Sequence, residues 1–199
     1  MDNNNIKTIL VGESGVGKTN LINVCVDQSF EENSLPTNLN SYSEINIEIN
    51  HKKYIIKLWD TIGQEKLRQL TKIFFKNSKI VILVYDKANK KSFKELDYWN
   101  NEVKKLLGDN IILAICGNKI DLDEDYDDVD EEEAREFAQK INAKFRLTSA
   151  KTNPNGFKCF LKELVIDYLN KTNDNNEDND TVVLSRKIHN KNKRRGHCC

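Results

Sequence analysis

Gly12-Glu13-Ser14-Gly15-Val16-Gly17-Lys18-Thr19 fits G-x-x-x-x-G-K-[ST] and lies between a strand pattern and a helix pattern, the context in which such a loop wraps phosphate. Glycines let successive backbone N–H groups curl into an anion nest, and the helix N-terminus adds partial positive charge. Lys18 would reach the β- and γ-phosphates, and the Thr19 hydroxyl would bind Mg²⁺.

Asp60 closes another strand pattern in Trp59-Asp60-Thr61-Ile62-Gly63-Gln64-Glu65. A carboxylate after an apolar run lies at the carboxyl edge of a parallel sheet, where it would hold Mg²⁺ through water. Gly63 offers an unobstructed N–H to a γ-phosphate oxygen, and Gln64 carries an amide suited to orienting an attacking water. Alone, Asp-x-x-Gly is a turn signal.

Asn118-Lys119-Ile120-Asp121 follows the fifth strand pattern. A carboxylate accepts from both N1–H and N2–H₂ of guanine, whereas adenine presents no such donor pair, so Asp121 would select guanine. Ser149-Ala150-Lys151 would supply a backbone N–H to guanine O6. Asp121, Asp123, Asp125, Asp127 and Glu132 also fall at the offsets of a calcium loop. The glycine its sharp turn requires is Tyr126, and a strand leads in, so a solvated acidic loop fits better.

The elements that must position these residues alternate. Strand-like runs occur at 6–11, 44–49, 54–59, 80–85, 111–116 and 144–147, with helical patterns at 18–26, 92–107, 131–141 and 156–169. Several strands are continuously apolar, as in sheets buried on both faces. The fold class is therefore α/β: a P-loop three-layer sandwich with a mostly parallel six-stranded sheet. Asn50-His51-Lys52-Lys53 is too short for a crossover helix, so the second and third strands form an antiparallel edge hairpin with His51 in its turn.

The 199 residues suit one domain, 1–170, followed by a tail, 171–199. The run from Lys171 to Asp180 is nearly all Asn, Asp, Glu and Lys, and is expected to be a disordered linker. Formal net charge is zero, which gives no global field toward nucleic acid. Cys25, Cys116 and Cys159 sit singly in apolar segments, as reduced core thiols would. No signal peptide is expected, and no apolar run approaches the ~20 residues that cross a bilayer.

Over residues 6–170 and at the chain's end, these motifs resemble the Ras superfamily of small GTPases, and within it the Rab family. The resemblance implies binding of GTP/GDP with Mg²⁺, with Thr37 a further Mg²⁺ ligand that senses the γ-phosphate and Phe30 packing against guanine. Gln64 is the expected catalytic residue. Tyr42, Trp59 and Phe74 look like the aromatic triad that couples the switch segments to effectors, though hairpin packing explains them equally. Cys198 and Cys199 look like the double-cysteine ending that carries two geranylgeranyl chains; it is not a C-a-a-X box. Two lipid chains give durable membrane binding, and Arg186, Lys187, Lys191, Lys193, Arg194 and Arg195 add attraction to an anionic leaflet.

The resemblance implies a monomeric membrane-traffic switch on the cytoplasmic face of a membrane, with a cytosolic pool. It would meet effector, exchange-factor and GTPase-activating proteins. With no arginine finger in cis, intrinsic hydrolysis is expected to be slow. Departures from the family are Ile62 in place of Ala, Asn38-Leu39-Asn40-Ser41 in switch I, Ser34 in place of Tyr, and Lys66-Leu67 in place of Arg-Phe. The alternative is a membrane-tethered GTP-binding scaffold whose hydrolysis Ile62 impairs. A P-loop kinase or ATPase is disfavoured by Asp121 and by the lack of a lid-like arginine cluster.

Overall fold

The computed structural model describes residues 4–32, 41–61, 74–122 and 129–193. Strands β1 (Asn5–Val11), β2 (Ser41–Ile49), β3 (Lys52–Asp60), β4 (Ile80–Asp86), β5 (Ile112–Asn118) and β6 (Lys144–Leu147) form one sheet in the order β2-β3-β1-β4-β5-β6. Only β2 and β3 pair antiparallel; every other neighbouring pair is parallel. The hairpin turn is Asn50 and His51, both at positive φ, which matches the twist of the strands it joins.

The helices are α1 (Lys18–Cys25), α2 (Lys90–Leu107), α3 (Glu131–Lys140) and α4 (Pro154–Lys193). Strand side chains alternate between two cores, as a period of two requires. Ile6, Leu10, Ile80 and Ile82 meet Leu21 of α1 and Phe157, Phe160 and Leu164 of α4. Ile9, Val81, Leu83 and Tyr85 meet Phe93, Leu96 and Trp99 of α2 and Ala134 and Ala138 of α3. All seven residues of β4 are buried, which explains why its sequence is a continuous apolar run.

Helix α4 runs from Pro154 to Lys193. One expectation is corrected. Cys25 and Cys116 are buried free thiols as expected, but Cys159 is exposed. It falls off the buried stripe formed by Phe157, Phe160, Leu161 and Leu164.

The C-terminal ends of β1, β3, β4, β5 and β6 lie along one sheet edge, since these strands run parallel. That places the segments beginning at Gly12, Thr61, Lys87, Lys119 and Thr148 side by side.

Candidate functional site

The loop after β1 is shaped by what its glycines touch. A Cβ on Gly12 would lie 2.1 Å from the Val84 carbonyl oxygen of β4, so only glycine lets the loop cross the sheet edge there. Gly17 caps α1 at φ 94, in the left-handed region that disfavours side chains. It makes no side-chain cap bond, whereas Asn89 caps α2 and Asp130 caps α3 with side-chain oxygens. A helix N-terminus capped by backbone alone presents N–H groups suited to an anion.

Lys18 is buried, and its ammonium donates to the carbonyl oxygens of Gly12 at 2.9 Å and Glu13 at 2.7 Å. Burial pulls its pKa down to about 8, against the opposing pull of the Asp60 and Glu13 carboxylates. Thr19 Oγ1 donates to Asp60 Oδ2 at 2.7 Å. This hydroxyl and carboxylate are the hard oxygen donors that Mg²⁺ takes, and Mg²⁺ completes its shell with phosphate oxygens and water. The residues present therefore fit both a phosphate chain and its metal.

At the other end, Ser149 Oγ donates to Asp121 Oδ1 and accepts from the amides of Lys151 at 3.1 Å and Thr152 at 2.9 Å. Ser149 is fully buried and Ala150 nearly so. Lys119, at φ 68, pairs through Nζ with Asp86 Oδ2 at 2.7 Å. Asn118 links the two ends: Nδ2 donates to the Val16 carbonyl at 2.9 Å, and Oδ1 accepts from the Ala150 amide at 3.1 Å.

Phe30 is half-buried against the core beside α1 and α4. The chain around it is tied down by Asp27 to Lys158 at 3.1 Å and by Glu32 to Lys151 at 2.9 Å. The Glu32 hydrogen bond raises the Lys151 pKa. Thr37, Gly63, Gln64, Cys198 and Cys199 lie outside the described residues, as do Ile62, Ser34 and the centre of the acidic loop.

On the hairpin, Tyr42 and Trp59 stack at 5.1 Å, and Trp59 meets Phe74 at 6.1 Å. Tyr42 stays half exposed, with Lys57 over its ring and Lys7 over that of Trp59. The three aromatics thus form one run of ring contacts, with Trp59 and Phe74 partly buried against the core.

Sequence reasoning missed Asp86, Asn20 and Glu32. Asp86 carried a usable signal, since it ends an apolar strand at the same edge as Asp60 and Asn118. Asn20 carried none beyond being polar on the inner face of a short helix.

A family model described as the Ras family matches residues 7–169. Among curated proteins, the chain is 37% identical over 155 residues to "Ras-related protein Rab-21" of Geodia cydonium, covering 78% of this chain and 67% of that one. It is 37% identical over 156 residues to "Ras-related protein Rab-2B" of Dictyostelium discoideum, covering 78% and 77%. To "Ras-related protein Rab-22A" of Homo sapiens it is 34% identical over 157 residues, covering 79% and 80%.

Proposed function

The chain belongs to the Ras family of small GTPases, and from that premise we propose that it is a Rab-like membrane-traffic switch which hydrolyses GTP slowly. What supports this reading is the distribution of chemistry along one sheet edge: Lys18 and the Thr19–Asp60 pair at one end, the Asp121–Ser149 pair at the other, and Asn118 holding them together.

The loop amides and Lys18 hold the phosphates, and Asp121 reads the guanine edge with the Ala150 amide toward O6. Thr19, Asp60 and Thr37 would hold Mg²⁺, which would neutralise charge on the phosphate oxygens. Gln64 orients a water for attack at the γ-phosphorus, and the bond to the β–γ bridging oxygen breaks to leave GDP and phosphate. Before hydrolysis, Thr37 and Gly63 hold the two switch segments through the γ-phosphate; afterwards both are released. The GTP state presents Tyr42, Trp59 and Phe74 to effectors. The tail, 171–199, carries a basic run and two C-terminal cysteines that take geranylgeranyl chains on the cytoplasmic face of a membrane.

Denaturing the purified protein and separating what it releases by chromatography tests the reading: GDP or GTP is expected, and adenine nucleotides alone would contradict it. Ile62 beside Gly63 favours a second reading, a tethered GTP-binding scaffold. Single-turnover hydrolysis separates the two, since the switch converts bound GTP to GDP and the scaffold does not.

A further inference from the structure

Asn20 follows Thr19 on α1 and is only 7% exposed. Its side chain spends both functions on one backbone residue beyond the helix: Nδ2 donates to the Glu31 carbonyl at 3.0 Å, and the Glu31 amide donates to Oδ1 at 3.2 Å. Two bonds to a single residue fix its orientation as well as its position. Asparagine is a poor helix former, and burying its amide carries a desolvation cost, so packing α1 alone would be served better by Ala or Leu.

The clamp joins the helix turn that carries Lys18 and Thr19 to the chain one residue after Phe30. Two other side-chain ties on this segment, Asp27 to Lys158 and Glu32 to Lys151, are ion pairs between exposed groups, and such pairs contribute little. The two-bond amide clamp therefore fixes the backbone beside Phe30, whose ring also packs against the core.

We propose that Asn20 is a positioning residue for nucleotide retention: by clamping Glu31 it holds Phe30 against the purine and slows release of the bound nucleotide. This rests on the guanine-nucleotide reading above. The clamp acts through the ring, so its effect exists only while Phe30 is present.

The test loads the full chain with fluorescent N-methylanthraniloyl-GDP and follows release after a chase with excess GDP. Asn20→Ala is expected to release about tenfold faster than the parent, equivalent to about 1.4 kcal/mol. In a Phe30→Leu background the same substitution should add less than about twofold, a non-additivity that general loosening of the fold would not produce. Release from Asn20→Ala at the parent's rate, or full additivity with Phe30→Leu, overturns the proposal. Should Asn20→Ala fail to fold, Glu31→Pro removes the amide donor at an exposed residue; accelerated release is expected, and unchanged release overturns the proposal. A parent that takes up no labelled GDP sinks the guanine-nucleotide reading itself, a failure distinct from any result with the variants.

Discussion

Asn118 donates its side-chain amide to the carbonyl of Val16 at 2.9 Å across 102 positions of the chain, and so fixes the phosphate loop to the loop that reads the base. Its Oδ1 accepts from the Ala150 amide at 3.1 Å, so one buried side chain sets the distance between three loops. Asn118→Ala leaves a buried carbonyl and a buried amide without their partner. Stability should fall by about 2–4 kcal/mol, read by urea unfolding in matched nucleotide. Gly17→Ala attacks the same joint from the other side, since its Cβ would lie 2.3 Å from Asn118 Nδ2; it should also destabilise the protein and weaken nucleotide binding.

Much of this arrangement was legible in the chain. The apolar runs at 6–11 and 80–85 marked the central strands, and Asp60 and Asn118 at strand ends marked the sheet edge. What stayed hidden has physical causes. β2 begins at Ser41 rather than Glu44 because pairing with β3 uses backbone groups, which need no apolar side chain. The Asn20 clamp, the Lys119–Asp86 pair and the Glu32–Lys151 pair each join residues far apart in sequence, and single polar residues carry no periodic signal. The exposure of Cys159 depends on the phase of α4 against the sheet.

Lys18 makes nucleotide affinity dependent on pH. In the folded protein burial holds its pKa at about 8 against 10.5 for an ordinary lysine. Between these values the unfolded chain binds the extra proton, so without nucleotide the protein gains stability from this group as pH rises through that window. A phosphate beside Lys18 favours the ammonium, so binding above pH 8 takes up a proton and affinity falls there, by up to about tenfold per pH unit. Affinity measured from pH 7 to 9.5 should show this fall in the parent and not in Lys18→Met. A flat profile in the parent would contradict a buried, titrating Lys18.

Asp121→Asn should change which purine is held. Asparagine offers one acceptor and one donor where aspartate offers acceptors only, which suits xanthine, whose C2 carries a carbonyl in place of the guanine amino group. Competition binding should show weaker binding of GDP, by at least about tenfold, and a gain for xanthosine diphosphate. Equal preference for GDP in parent and variant would remove Asp121 from base recognition.

Membrane association should depend on the end of the chain. No helix among the described residues is long and apolar enough to cross a membrane, and a single lipid chain binds only marginally. Replacing Cys198 and Cys199 with serine should move the protein to the soluble fraction of lysed cells, and either single replacement should leave weak, reversible binding. Unchanged membrane association of the double variant would refute lipid attachment there.

The most direct measurement is titration calorimetry on nucleotide-free protein with Mg²⁺ present, comparing GDP with ADP. Saturable heat from GDP at one equivalent per chain, and none from ADP at the same concentrations, is the predicted result. Binding of ADP with no response to GDP would contradict the assignment of Asp121, Ser149 and Ala150 to a guanine site.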